Sequence, residues 1–220
     1  MKNICHIVGA GSTENAVLIK RPGDFVIAAD AGLSHLESIG VTPDLTVGDF
    51  DSLGKAPEGE NVIRCPAEKD DTDTLIAVRE GLKRGYDVFS IIGGLGGRLD
   101  HTFANIQTLA FIAAHGACGF LSDGETVVTA IRNGKISFAP GKSGIASVFC
   151  MGSEAHGVYL HGLKYPLSNA RLTYDFPIGV SNEFIGSGAE ISVEEGTLAV
   201  MWQERGFDAG NCGVTFGRLT

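Results

Sequence analysis

Short, mostly apolar runs recur along the first half of the chain, and each is followed by glycine or aspartate or closed by proline. They cover residues 4–8, 25–29, 45–47, 61–66 and 86–92. Runs of this length bounded by turn residues are typical of strands that are buried on both faces. Segments with helical periodicity lie between them, at 32–39, 69–85 and 102–114. This alternation predicts a parallel β-sheet covered by helices.

The pattern changes near residue 122, beyond which no helical period returns. Asn133-Gly134 separates two apolar segments at 126–131 and 135–138, a spacing that predicts a two-residue β-hairpin. Further short strands are predicted at 145–150, 158–160, 170–174, 190–193 and 198–202. Short strands with regular turns favour a sandwich or a small barrel. The sequence thus predicts an α/β domain at 1–123 and an all-β domain at 124–220, whose tail from 203 is either an ordered extension or frayed.

Composition narrows the classes of function. The chain has 220 residues, of which 44% are hydrophobic, and a net charge of -9. These values are typical of an ordinary globular protein with a large core, and the negative charge disfavours nucleic acid and anionic membranes as partners. No apolar stretch reaches about eighteen residues, so no membrane span is predicted. We expect a cytoplasmic protein.

A run of carboxylates is the strongest chemical signal. Six aspartates fall within thirty residues, at predicted strand ends, loops and a helix start: Asp44, Asp49, Asp51, Asp70, Asp71 and Asp73. Like charges gathered in this way repel one another unless a cation lies between them, and a hard divalent ion is the simplest such cation. Asp30, at the end of the second apolar run, has two readings: a ligand-binding residue or the cap of the next helix.

A glycine-rich segment, 93–97, follows the apolar run 86–92. Glycines between a strand and a helix allow backbone N–H groups to approach a phosphate, and Arg98 adds a guanidinium suited to phosphate oxygens. The dinucleotide-binding pattern G-x-G-x-x-G is absent, because Leu99 occupies the position of its third glycine. Asp100 and His101 either start the following helix or take part in the site.

Three motifs in this order resemble the thiamin pyrophosphokinase family. They are Asp49-Phe50-Asp51-Ser52, Asp70-Asp71-Thr72-Asp73 and Gly94-x-Gly96-Gly97-Arg98-x-Asp100-His101. The likeness continues through the segments 162–167, 179–183 and 196–200, and it covers nearly all of residues 4–202. The resemblance implies a Rossmann-like parallel-sheet domain that binds ATP, followed by a β-sandwich that binds thiamin. It also implies a homodimer with the active site between subunits, magnesium, and transfer of the diphosphoryl group of ATP to thiamin, giving AMP and thiamin diphosphate.

The resemblance and the residue chemistry together suggest specific roles. Transfer of a diphosphoryl group requires in-line placement of the hydroxyl and neutralisation of developing charge. Magnesium ions are assigned to Asp49, Asp51, Asp71 and Asp73, directly or through water. The ATP phosphates are assigned to Gly94, Gly96, Gly97 and Arg98, with Asp30 and His101 beside them. Asp100 is a candidate for orienting or deprotonating the thiamin hydroxyl, and Ser181 and Asn182 for hydrogen bonding to the thiamin pyrimidine.

Two other functions fit part of this pattern. Asp49-Phe50-Asp51 resembles a D-x-D phosphatase signature with Asp49 as nucleophile, although that reading leaves 70–73 and the glycine segment unexplained. A thiamin-binding module without catalysis is the second alternative. Incubation with ATP, thiamin and magnesium separates the three functions. Formation of AMP indicates the kinase, release of free phosphate indicates the phosphatase, and thiamin binding without ATP consumption indicates the binding module.

Overall fold

The predicted alternation of strands and helices is present in the computed structural model, which describes residues 2–50, 59–66 and 70–219. The strands of the first half are β1 (Cys5–Val8), β2 (Phe25–Ala29), β3 (Leu45–Gly48), β4 (Val62–Arg64), β5 (Val88–Ile92) and β6 (Cys118–Ser122). They pair in parallel in the order β4-β3-β2-β1-β5-β6. The helices are α1 (Gly32–Ser38), α2 (Asp73–Lys83) and α3 (Leu99–Ala114), and α3 begins earlier than the predicted residue 102.

The second half is antiparallel. Its strands are β7 (Thr126–Phe138), β8 (Ile145–Cys150), β9 (Glu154–His161), β10 (Leu167–Thr173), β11 (Gly179–Glu183), β12 (Ala189–Gln203) and β13 (Val214–Arg218). Because β6 pairs with both β5 and β7, strand hydrogen bonding continues from the parallel part into the antiparallel part. The protein is therefore a mixed α/β protein with one large sheet. The division into two domains at residue 123 stays a prediction.

The predicted hairpin at Asn133-Gly134 is wrong. β7 continues through both residues, and Asn133 adopts a left-handed φ of 45° inside the strand. The partner strand β12 also continues where a turn was expected, and its register with β7 shifts between Val193 and Thr197. The Asn133 side chain accepts a hydrogen bond from the Gly196 N–H at 2.9 Å. The turn residues therefore form a bulge that bends two paired strands together.

Strand β7 separates two hydrophobic cores. Val127 and Ile131 belong to the core of the antiparallel half, whereas Val128 and Ala130 belong to the core beneath α2 and α3. Neighbouring residues of a strand point to opposite faces, so this strand must be apolar on both sides. This explains why hydrophobic residues are adjacent in its sequence, at Val127 and Val128 and again at Ala130 and Ile131.

The C-terminal segment is an ordered extension rather than a frayed end. β13 pairs with β7 between Gly134 and Phe138, beside the stretch that pairs with β6. Phe207 and Phe216 pack against Phe120 with ring centroids 5.0 and 5.5 Å apart. The segment thus covers an edge of β7 and part of the core. Within residues 2–50, 59–66 and 70–219, no helix is long and apolar enough to cross a membrane.

A buried polar cluster connects β1 to the C-terminal segment. The Nε2 of His6 lies 3.3 Å from the Asp24 carboxylate, which also accepts hydrogen bonds from the backbone N–H groups of Ile4 and Arg21 at 2.7 and 2.8 Å. The Arg21 guanidinium in turn pairs with Asp208. Burial lowers the pKa of His6 from its ordinary value of 6.5, and this effect outweighs the opposing influence of Asp24.

This cluster makes stability depend on pH. His6 is kept neutral in the fold, so the unfolded chain binds more protons once the pH falls below 6.5. We expect the free energy of unfolding to rise with pH through the window below 6.5 and to level off above it. Urea denaturation across this window measures the slope, which His6→Gln should reduce, because glutamine does not titrate. His115→Gln, at an exposed histidine that ends α3, is the control and should leave the slope unchanged. An unaltered slope in His6→Gln would contradict the assignment.

Candidate active site

The carboxyl ends of the parallel strands meet at a topological switch point. From β1 the chain passes to β2, β3 and β4 on one side, whereas β5 and β6 lie on the other. The loops that follow β1 and β5 therefore diverge from neighbouring strands and leave a crevice between them, the usual ligand position in open α/β sheets. The predicted glycine segment follows β5 and so lies at this crevice.

Glycines allow these two loops to touch through their backbones. The N–H of Gly9 donates to Ile92 O and the N–H of Gly11 donates to Gly93 O, both at 2.8 Å. A Cβ on Gly9 or Gly11 would lie 2.8 or 2.7 Å from Gly93 O, and a Cβ on Gly93 would lie 2.6 Å from Gly9 O. Gly93 also has a φ of 70°, a conformation that favours glycine. Any side chain at these positions would force the loops apart.

A cleft of about 540 Å³ opens above these loops. It brings together eight of the residues predicted from the sequence to form the site: Asp30, Asp71, Asp73, Gly94, Gly96, Gly97, Arg98 and His101. Gly9 and Gly11, Thr72 and Asn105 also line it. The cleft thus combines a carboxylate wall with a floor of exposed backbone.

The carboxylate wall is the start of α2. Thr72 caps this helix by accepting a hydrogen bond from the Leu75 N–H at 3.2 Å, which places Asp71 just before the helix and Asp73 as its first residue. The Asp71 carboxylate is paired with Arg79 at 2.7 Å, and 29% of its side chain is exposed. Among the described residues, no three histidine, cysteine, aspartate or glutamate side chains converge on one metal position.

Asp30 and Asp49 follow the neighbouring strands β2 and β3. Asp30 has a left-handed φ of 51°, and its N–H donates to Val47 O at 2.8 Å. A Cβ on Gly48 would lie 3.1 Å from the Asp30 Cα, so the ends of the two strands are tightly apposed. Asp49 is half-buried and is not among the residues that line the cleft. Asp51 lies outside the described residues.

Arg98 and Asp100 form an exposed ion pair at the mouth of the cleft. The guanidinium donates to both carboxylate oxygens, at 3.2 and 2.6 Å. This hydrogen bonding lowers the pKa of Asp100 to about 2. The low pKa depends on this contact, so Asp100 is a poor proton acceptor while the pair is intact, and both orienting and deprotonating the thiamin hydroxyl stay candidate roles for it.

Comparison with known proteins agrees with this geometry. Residues 19–117 match the model of the thiamin pyrophosphokinase catalytic domain, and residues 136–198 match that of the thiamin pyrophosphokinase vitamin B1 binding domain. Thiamine pyrophosphokinase from Bacillus subtilis is 30% identical over 192 residues, which are 80% of this chain and 85% of the relative. The chain belongs to the thiamin pyrophosphokinase family. The family and the enzyme class predicted from the sequence are thus confirmed.

Solved structures of thiamin pyrophosphokinases share the whole fold. A crystal structure of the Bacillus subtilis protein superposes with a TM-score of 0.80 at 26% identity and covers 91% of this chain and 99% of its own. A second, from Geobacillus thermodenitrificans, has a TM-score of 0.76 at 28% identity, with coverage of 95% and 99%. The coverage includes both the parallel and the antiparallel parts of the chain.

The two residues predicted to hydrogen-bond to the thiamin pyrimidine lie outside the lining of the cleft. Ser181 and Asn182 are on β11, which pairs with β8. Asn182 is buried, and its side-chain amide accepts from Tyr165 N at 2.9 Å and donates to Tyr165 O at 2.7 Å. Its amide is therefore committed to holding the backbone of Tyr165. Ser181 is exposed, and so it is the member of this pair that a ligand can reach.

Several residues of the thiamin pyrophosphokinase cleft were not predicted. Gly9 and Gly11 were not assigned to the site, although glycines after a first strand are a usable signal for close backbone approach. Thr72 is a helix cap whose signal lay in the Thr-x-x pattern before the apolar face of α2. Asn105 gave no signal, because an asparagine in an apolar helix has many structural roles.

Proposed function

We propose that the reaction of this family, transfer of the diphosphoryl group of ATP to the hydroxyl of thiamin, takes place in the cleft at the switch point. One observation carries the proposal: the cleft unites the carboxylates of α2 with the glycine segment and Arg98. A triphosphate requires backbone donors and a guanidinium, and the metal that accompanies it requires carboxylates. The loop after β5 supplies the backbone donors and the guanidinium, and the start of α2 supplies the carboxylates, at one edge of the sheet.

ATP is proposed to lie with its phosphates over Gly94, Gly96 and Gly97. Backbone N–H groups at such a loop approach phosphate oxygens closely because no side chain intervenes. Arg98 exchanges its contact with Asp100 for a phosphate oxygen, which costs little because the ion pair is 70% and 65% exposed on its two sides. His101 and Asp30 border the same space.

Magnesium is the divalent ion that fits the donor set. Asp71 and Asp73 supply hard oxygen ligands in the cleft wall, and magnesium is usually held by one or two carboxylates, substrate phosphates and water. A cage of three protein ligands is therefore not required. Asp49 and Asp51 are proposed as further ligands, directly or through water. Bound magnesium neutralises charge on the polyphosphate and helps to orient it.

Thiamin is proposed to bind between two copies of the chain. Ser181 lies on β11, away from the cleft, and large apolar side chains are exposed around that strand: Tyr165, Tyr174, Phe176, Ile178, Val180 and Ile185. Leu99 and Phe103 of α3 are also exposed, at 81% and 61%, beside the cleft. Exposed apolar surfaces of this kind are typical of interfaces, and a homodimer would cover both. Its partner copy would bring Ser181 to the cleft.

The two parts of the chain are proposed to have different roles. Residues 1–123 bind ATP and carry out catalysis, and residues 124–220 bind thiamin. The C-terminal segment stabilises the thiamin-binding part. The carboxylates of the cleft also attract the cationic thiazolium ring of thiamin. Asp100 orients the hydroxyl toward the phosphorus atom, and positioning supplies most of the rate. The enzyme is proposed to act in the cytoplasm.

One experiment tests the reaction and the assembly together. Purified protein is separated by sedimentation, and each fraction is incubated with ATP, thiamin and magnesium. We expect AMP and thiamin diphosphate in equal amounts, from the fraction with twice the chain mass of 23.0 kDa. Release of free phosphate would support the phosphatase alternative, and thiamin binding without ATP consumption would support the binding module. Full activity in a monomer fraction would contradict the site between two copies of the chain but would leave the proposed reaction unaffected.

A further inference from the structure

The glycine segment is held by side chains of α3. The amide of Asn105 donates from Nδ2 to the carbonyl of Gly94 at 2.9 Å, and the hydroxyl of Thr102 donates to the carbonyl of Gly96 at 3.3 Å. Asn105 is only 5% exposed, on a helix whose other buried side chains are Thr108, Leu109 and Ile112. A buried polar group in this position needs its hydrogen bond, and the loop carbonyl provides it.

The backbone at Gly94 has little room to move. A Cβ on Gly94 would lie 2.6 Å from Leu121 Cδ1 and 3.0 Å from Asn105 Nδ2. The backbone at Gly94 is thus enclosed between β6 and α3. Leu95 is also buried, at 7% exposed, and the residues from Gly96 to Arg98 are exposed in the cleft. Asn105 therefore acts on the enclosed part of the loop just before its exposed part.

The direction of the carbonyls has a chemical consequence. In a trans peptide the C=O and the N–H of the next residue point in opposite directions. When Asn105 and Thr102 draw the Gly94 and Gly96 carbonyls toward α3, the N–H groups of Leu95 and Gly97 point away from α3. A carbonyl turned toward a triphosphate would repel it, whereas an N–H donates to it.

We propose that Asn105 is a positioning residue for ATP, which holds the glycine segment with its carbonyls toward α3 and its N–H groups available to the polyphosphate. The inference rests on the proposed function of the cleft. It assigns a role in substrate affinity to a residue whose burial alone would suggest a purely structural one. Asn105 is proposed to affect ATP binding through the loop and not by direct contact with ATP.

The test compares Asn105→Leu with Thr108→Val. Leucine has the same branched arrangement of side-chain heavy atoms as asparagine, although it is bulkier, and it has no donor. Thr108 is a matched control because it is buried on the same helix and its hydroxyl donates to Ala104 O, at 3.0 Å. Removing the partner of a buried carbonyl should raise KM for ATP roughly tenfold or more. KM for thiamin should stay within about twofold, and Thr108→Val should leave both constants within about twofold.

Further measurements separate the possible outcomes. Calorimetry with a non-hydrolysable ATP analogue reports affinity without turnover, and thermal unfolding without ligand reports folding. If Asn105→Leu fails to fold, Thr102→Val removes the weaker donor at a half-exposed site and should raise KM for ATP by a smaller factor. If folded Asn105→Leu and Thr102→Val both keep the wild-type KM for ATP and the wild-type affinity for the analogue, the positioning role is wrong, although the proposed function of the cleft is unaffected. A wild-type protein that neither forms AMP nor binds the analogue would overturn the proposed function and this inference with it.

Discussion

Asp71→Asn and Asp73→Asn are each expected to lower AMP formation from ATP and thiamin by roughly a thousandfold or more, without unfolding the protein. Both carboxylates line the cleft at the start of α2. Asparagine keeps the shape of aspartate but removes the negative charge that holds a hard cation beside the polyphosphate. The loss should therefore appear in turnover rather than in folding.

The structure limits the effect of these substitutions on stability. Relief of repulsion among the aspartates alone would make the variants more stable. Asp71, however, pairs with Arg79 at 2.7 Å, and Asp73 is the acidic residue in the first turn of α2, where negative charge is favourable. Each lost contact is worth about 0.5 kcal/mol, so we expect the free energy of unfolding to change by no more than about 1 kcal/mol.

The matched control for these variants is Asp70→Asn. Asp70 is exposed, precedes Asp71 and does not line the cleft. Its substitution removes the same charge from the same segment and should leave turnover within about twofold. Quantifying AMP and thiamin diphosphate by chromatography, with urea denaturation in parallel, gives both readouts. Wild-type turnover in Asp71→Asn and Asp73→Asn would contradict the metal assignment.

Gly93→Ala is expected to lower the free energy of unfolding by about 3 kcal/mol or more and to weaken ATP binding. Two costs add at this position. The left-handed φ of 70° costs alanine about 1 kcal/mol, and the new Cβ would lie 2.6 Å from Gly9 O and 3.1 Å from Gly11 O. Backbone atoms cannot rotate away as a flexible side chain can, so the loops after β1 and β5 must separate. Their separation widens the floor of the cleft.

Gly96→Ala isolates the first of these costs, the left-handed φ. Gly96 has a similar φ of 75°, but nothing lies within 4 Å of a Cβ built there. We expect this variant to lose only about 1 kcal/mol. Chemical denaturation of both variants, together with titration of an ATP analogue, measures the difference. Equal destabilisation of Gly93→Ala and Gly96→Ala would show that the contact between the two loops contributes nothing.

Predictions from the sequence were most accurate where one local pattern decided the structure. The apolar runs at 25–29 and 145–150 coincide with β2 and β8. β2 is almost entirely buried and leaves an unbroken hydrophobic signal, whereas β8 alternates between buried and partly exposed positions. The glycine segment after β5 and the acidic start of α2 were also located correctly, since strand ends and helix starts have characteristic residues. Eight predicted site residues do line one cleft.

Predictions failed where distant contacts override local preference. Asn133-Gly134 is a strong hairpin signal, yet pairing with β12 along both sides of it keeps the chain extended and converts the turn into a bulge. β13 has weak periodicity and forms because an edge of β7 is available to it. Nothing in the sequence indicated that both polar atoms of the Asn182 side chain bond to the backbone of Tyr165, and the role of Asn182 in thiamin binding stays a prediction.

The sequence by itself determined the alternation of strands and helices, the family and the types of residue that the reaction needs, because these depend on short-range patterns and on ordered motifs. Tertiary structure alone decided which of those residues meet. The parallel pairing of β1 with β2 and β5 brings Asp30 and the glycine segment together although more than sixty residues separate them. Asn105 reaches Gly94 only because α3 packs back onto the sheet. Such contacts follow from strand order, which no local pattern encodes.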